Sequence, residues 1–320
     1  LVDHTADATI SQTEGVAHYV ATKLGLMPSD LLKQSLALKV LADCNDVLGE
    51  MWLHNGAVRK DGDWVLWQQP HWDEFRAGAF VDWLRMFEAI ALRFGCTAER
   101  GFLLGTPEAT LADLAVWSLW ATVARCVPEL SRPIHEHAPT VMALCDRLEQ
   151  NTGLRALKES NAQTYGSQWM GGMIEGSLRK VVAGSVDGKP AAQLRRGPSI
   201  MELLQQLRSV PVALDLLRAE SRRLLSASAQ RPGGTTPAYT LYYWPMPGRG
   251  VFIRSLFAYA DVPYTDAPVQ EIIQIKGAPS AEQPLPLRAP PFLVDHTADA
   301  TISQTEAVGH YVATKLGLMP

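Results

Sequence analysis

Several features are scarce in this chain of 320 residues, and each scarcity closes a route. No apolar run approaches the ~20 residues that a membrane-spanning helix needs, so no segment reads as a span. Net charge is only −4, which argues against a polyanionic partner such as nucleic acid. The four cysteines, Cys44, Cys96, Cys126 and Cys145, are widely spaced, with no CxxC pair. That pattern fits buried, reduced thiols in a cytoplasmic protein better than a disulfide framework. Among the eight histidines, His135 and His137 flank Glu136 beside Pro133 and Pro139, a stretch that reads as a solvated loop and not as a metal site. The opening residues show no signal peptide, although a chain that opens mid-domain does not display its own start.

What the chain has instead is a duplication. Leu1 to Pro28 reads LVDHTADATISQTEGVAHYVATKLGLMP and recurs as Leu293 to Pro320. Gly15 and Ala17 of the first copy become Ala307 and Gly309 in the second, and nothing else changes. Self-similarity of this size governs how the rest is ordered. The chain spans a little more than one period of a repeating unit opened mid-domain. A piece of a tandem array is the first reading, with a natural or engineered permutation as the alternatives.

Between the copies lie three regimes. Helical spacing runs through Leu31 to Trp52 and again through Trp72 to Phe94. Thr110 and Asp113 form a capping-box variant at the head of the apolar run LADLAVWSLWATVA, and another helix follows Pro139 towards Asn151. Residues 166–237 are broken by Gly and Pro and read as a helical tail with short helices at Ser199 and from Val212 to Ser226, then a flexible linker. From Ala238 the pattern changes: an aromatic strand at Tyr239–Trp244, a helix at Arg249–Ala260, a strand near Tyr264 and a Pro-rich irregular segment to Pro291. A hairpin from Phe292 to Ile302 and a helix from Gln304 to Leu316 complete a βαβ–ββα order.

On these motifs the chain resembles cytosolic glutathione transferases, in which a thioredoxin-like α/β domain precedes an all-helical one. TLYYWPMPGRGVFIRSLFAYADVPY is similar to the opening of tyrosine-type members (mu, pi, sigma), and APPFLVD followed by ISQTEAV is similar to their glutathione-cradling half. TLADLAVWSLW resembles the capping motif and buried helix of their second domain. The resemblance implies a permuted or tandem order: a partial thioredoxin-like segment at 1–28, the helical domain at 29–165, tail and linker at 166–237, and a thioredoxin-like glutathione-binding domain at 238–320.

The resemblance also implies roles. Tyr243 matches the catalytic tyrosine. Free thiols ionise near pH ~8.5, and a hydroxyl donated to glutathione's sulfur favours the thiolate. On residue grounds alone Tyr243 reads equally as core of an aromatic strand, and alternation turns Tyr242 to the other face. The family pattern makes the Pro290–Pro291 bond cis and offers the backbone at Pro290 to the peptide of glutathione, though Pro290 has no N–H to give. Trp244 joins the glutathione-binding set. Gln304 and Thr305, at a helix start, suit the γ-glutamyl carboxylate, and Ser303 or Thr305 caps that helix in any case. Arg249 and Lys276 are candidates for the glycyl carboxylate, and Asp46 for the acid that reaches a neighbouring subunit's glutathione. Trp52, Trp64, Trp67 and Trp72 either line an apolar pocket for the second substrate or pack a core.

Implied partners are glutathione as co-substrate, a small apolar electrophile and a second copy in a homodimer or domain-swapped assembly, without metal. Glutathione-dependent isomerisation would use the same motifs. A non-catalytic binding or assembly module stays open, because fold does not fix function. Disulfide exchange is excluded, since no cysteine follows Cys145. Two copies compete for one place in the sheet, and the shorter loop closure favours the second.

Overall fold

The structure, a computed structural model, describes residues 1–6, 8–52, 67–169, 172–184, 237–245 and 249–319, and only the backbone of residues 52 and 172–174. The chain divides into two compact units, Leu1–Ala191 with Pro279–Pro286, and Ala192–Ala278 with Leu287–Pro320.

The first unit opens with copy one. Strands β1 (Val2–Asp3) and β2 (Ala8–Thr9) form an antiparallel hairpin, followed by α1 (Thr13–Lys23). Asp3 ties hairpin to helix: its carboxylate accepts from Thr5 N at 2.8 Å and Tyr19 Oη at 2.8 Å, and pairs with Lys23. Past the end of α1, Gly25 takes φ 69°, a left-handed conformation that costs glycine little, and Leu26 N returns to Ala21 O at 2.8 Å.

Helices fill the remainder of this unit. α2 spans Leu31–Trp52, as the apolar spacing predicts. The single helix expected from Trp72 to Phe94 is instead two, α3 (Gln69–Ala77) and α4 (Ala79–Arg93). They part at Gly78, whose φ −111° and ψ −94° leave the helical region while its N–H still reaches Glu74 O at 3.0 Å. An interior glycine costs a helix ~1 kcal/mol relative to alanine, so this is where a bend is cheapest. Phe80, Trp83, Leu84, Phe87 and Ile90 bury the inner face of α4, and Trp120 meets Phe80 and Phe87 edge-on.

α5 (Leu111–Val116) begins where the capping motif predicts. Asp113 accepts from Thr110 N and Thr110 Oγ1 at 2.8 Å each, and also from Leu103 N. Desolvation pushes the Asp113 carboxyl up, against those hydrogen bonds, which pull the other way. The helix loosens into one π turn at Trp117–Ala121 before α6 (Thr122–Cys126). α7 (Ser131–His137) corrects the loop expected around Glu136: the His-Glu-His stretch ends a short helix, with Pro133 in the first turn, where no N–H is needed. α8 (Pro139–Leu148) follows, then α9 (Thr152–Tyr165), capped by Asn151 Oδ1 on Gly153 N and Leu154 N.

α10 (Gly172–Gly184) falls in this unit as well. Its Ser177 Oγ accepts from Trp67 N at 2.6 Å, and Val181 O accepts from Gln69 Nε2 at 3.0 Å. The helices expected at Ser199 and from Val212 to Ser226 lie outside the described residues. All four cysteines are free and buried.

The second unit is built on a four-stranded sheet. Its elements run β3 (Tyr239–Tyr242), α11 (Gly250–Tyr259), β4 (Thr265–Asp266), α12 (Val269–Gly277), β5 (Phe292–Asp295), β6 (Ala300–Ser303) and α13 (Thr305–Lys315). The strand order is β4-β3-β5-β6, with β4 parallel to β3 and the other pairs antiparallel. α12 corrects the irregular segment expected before Pro291: Pro268 stands just ahead of the helix, where a proline removes no helical hydrogen bond. β5 from Leu293 onward, β6 and α13 come from copy two. Among the described residues, the two strands of copy one pair only with each other.

Candidate functional site

Register brings the candidates to one end of the sheet. Tyr242 pairs with Phe292, and Phe292 with Ser303, so the next residues along, Tyr243, Pro291 and Gln304, fall in one row across the ends of β3, β5 and β6. Gln304 N donates to Pro291 O at 3.2 Å, and the Pro290–Pro291 bond is cis. Thr305 starts α13, and its Oγ1 is buried without a partner among the described residues. A helix start also carries backbone N–H groups that have no acceptor inside the helix.

Tyr243 is 8 % exposed. Strand alternation separates it from Tyr242, whose ring stacks on Phe292 at 4.2 Å. The Tyr243 hydroxyl accepts a hydrogen bond from Arg249 N at 2.8 Å, which leaves its own proton free to be donated. Two residues that the sequence reading did not single out hold the ring. Gly250 is one: a Cβ there would lie 2.4 Å from Tyr243 Cδ1. Arg254 is the other, its guanidinium 5.8 Å from the ring centroid and bonded to Asp266 at 2.9 Å and Trp244 O at 3.4 Å. Arg254 was legible as the one charge inside the apolar run Val251–Phe257. Gly250 gave no such signal, because its role is to be absent from a space that only the fold defines.

The remaining candidates are less closely drawn together. Arg249 contributes its backbone N–H to the site, while the residue is exposed. Lys276 is half-buried near the end of α12, and burial, then the charge of Arg288, lowers its pKa. Arg288, also missed in the sequence, thus gives the segment before Pro290 a second positive charge. Asp46 is on α2 of the first unit. Trp67 and Trp72 belong to the core of that unit, meeting edge-on at 5.2 Å; Trp64 and the side chain of Trp52 lie outside the described residues. No group of three or more metal-ligating side chains occurs among the described residues.

Gln304 has φ 76°, unusual for a residue with a side chain. Gln12, its counterpart in copy one, has φ 70° with no strand beside its hairpin among the described residues. The conformation is therefore a local property of the Ser-Gln-Thr-Glu turn, which each copy carries into place ready-made.

Residues 36–181 match the family model for the glutathione S-transferase C-terminal domain, somewhat less than half of the chain. A comparison with curated proteins gave no match. The helical unit is thus glutathione S-transferase-like, and glutathione is the ligand that this likeness implies. No helix among the described residues is long and apolar enough to cross a membrane.

Proposed function

We propose that the chain is a glutathione transferase of the tyrosine type, with residues 238–320 acting as a thioredoxin-like glutathione-binding domain. The observation that carries the reading is the buried Tyr243 hydroxyl, which accepts from Arg249 N and keeps its proton, in one row with Pro291 and Gln304. In this mechanism Tyr243 donates to the glutathione sulfur and stabilises the thiolate, which attacks a small apolar electrophile. The hydrogen bond from Arg249 N polarises the hydroxyl and makes it a stronger donor. The peptide of glutathione lies along Pro290–Pro291 beside Trp244, its γ-glutamyl carboxylate meets Gln304, Thr305 and the start of α13, and Arg249 and Lys276 serve the glycyl carboxylate. Asp46 is assigned to a neighbouring subunit's glutathione in a homodimer.

Glutathione binding and conjugation of a general aryl halide test this. Tyr243→Phe is expected to lower kcat/KM by about 100-fold, the scale of one lost transition-state donor. It should also shift the pH–rate profile to higher pH, because the thiol loses the group that favours its charged form. Failure of the wild type to bind glutathione, or unchanged kinetics in Tyr243→Phe, overturns the proposal.

A further inference from the structure

In the helical unit, the break between α3 and α4 and the His-Glu-His segment border one cavity of about 330 Å³, at the small end of the range for small-molecule sites. Arg76, in the last turn of α3, and Val81, in the first turn of α4, line one side. Arg132, Pro133, Glu136 and His137 line it from α7. In an unbroken helix Arg76 and Val81 would stand about 140° apart around the axis, on different faces. The break at Gly78 lets both meet α7, which packs on α4. On α7 the lining positions recur at the spacing of one helix face. His135 is off that face, with its Nδ1 2.8 Å from Ser131 O in its own turn.

Opposite charges face this cavity without meeting. Arg76 is half-buried, and its Nε is shut off from water with no hydrogen-bond partner among the described residues. Glu136 is exposed on the facing helix, and no ion pair joins it to Arg76. A guanidinium drawn partly out of water without an acceptor carries a desolvation cost that a bound carboxylate offsets, through two parallel N–H···O bonds. Arg132 adds a second guanidinium to the lining, and Val81 and Pro133 give it apolar wall. We propose that the cavity binds a free α-amino acid with an apolar side chain, its carboxylate on Arg76, its ammonium on Glu136 and its side chain against Val81 and Pro133. A plain anion would be repelled by Glu136, and a plain cation by the two arginines. A zwitterion satisfies both signs at once. Arg76 is the more buried of the two charges, so the carboxylate enters first and the ammonium stays towards solvent. The inference does not depend on Tyr243 or on glutathione chemistry.

Calorimetric titration of the full chain with L-leucine and L-phenylalanine decides it, alongside the N-acetyl and amide forms of each. The expected result is one site per chain for at least one of the two free amino acids. Its N-acetyl form, which has no ammonium, and its amide form, which has no carboxylate, should each bind about tenfold weaker or worse, the scale of one lost charged hydrogen bond. Arg76→Gln should weaken the free amino acid by the same factor and leave the amide form unchanged, since that form has no carboxylate to lose. Glu136→Gln should weaken the free amino acid and should not weaken the N-acetyl form. Glu136 is exposed, so its variant tests the site even where Arg76→Gln fails to fold. Absence of binding by both amino acids overturns the proposal. So does an N-acetyl form that binds as tightly as the free amino acid, because the cavity is then a site for plain anions. Affinity for the free amino acid unchanged in either variant places it elsewhere and overturns the proposal as well.

Discussion

Copy one and copy two amount to one peptide placed in two environments. Each forms the same hairpin, the same helix and the same carboxylate network, so these belong to the local sequence. What differs is burial. Asp3 and Asp295 make matching bonds, to Thr5 and Tyr19 in one copy and to Thr297 and Tyr311 in the other. Yet Asp295 is fully buried, while Asp3 lies in a partly open hairpin. Local structure here precedes tertiary structure, and the sheet adds energy to a shape that already exists. Paired substitutions can break that comparison, because each residue has a near-identical control elsewhere in the same molecule.

The largest contrast is expected at the strand. Leu293→Ala removes a fully buried side chain facing Leu241 and should destabilise the second unit by about 3 kcal/mol. Leu1→Ala, half-exposed, should change stability by less than about 0.5 kcal/mol. Urea unfolding of both variants measures this, and equal effects would mean that copy one is covered in solution.

Next in size is the carboxylate. Burial raises the Asp295 pKa, but the Thr297 and Tyr311 hydrogen bonds outweigh it, so the carboxyl titrates below its ordinary value. Its contribution is complete above about pH 4 and is lost as pH falls through the depressed pKa. Asp295→Ala should cost on the order of 2–3 kcal/mol at pH 7 and progressively less in acid. Asp3, held low chiefly by Lys23 and then by Thr5 and Tyr19, has the same sign of pH dependence. Its replacement by alanine should shift the unfolding midpoint far less, since water screens the same bonds. Tyr311→Phe against Tyr19→Phe isolates one hydrogen bond and should separate the copies by about 1 kcal/mol.

These pairs also mark what the sequence could reveal. The hairpin, α13 and α2 were legible because periodicity and turn residues act within a few positions of themselves. The capping of α5 was legible for the same reason, through Thr110 and Asp113. The break at Gly78 was hidden inside an uninterrupted apolar period, and α12 was hidden by the prolines around it. At the candidate site, resemblance singled out Tyr243, Pro291, Gln304 and Thr305. Gly250 and Arg288 escaped, because their roles arise only once α11 has returned against β3 and α12 has brought Lys276 near the segment before Pro290.

The smallest effect sits at the exchanged pair itself. Gly15 lies in the first turn of α1, and a Cβ there would stand 3.7 Å from Ile10 Cγ2, with no strain from φ. Gly15→Ala should therefore stabilise copy one by about 0.5–1 kcal/mol through helix propensity and a less entropic unfolded chain. The reverse change in copy two, Ala307→Gly, loses propensity and also empties a buried site, so it should cost somewhat more. If the two changes prove equal and opposite, burial contributes nothing at this position and the copies are energetically one peptide. If Ala307→Gly costs more, the excess is what the sheet adds at this position, read against the copy that lacks it. Amide exchange of α1 and α13 in the two variants gives both numbers in the same molecule.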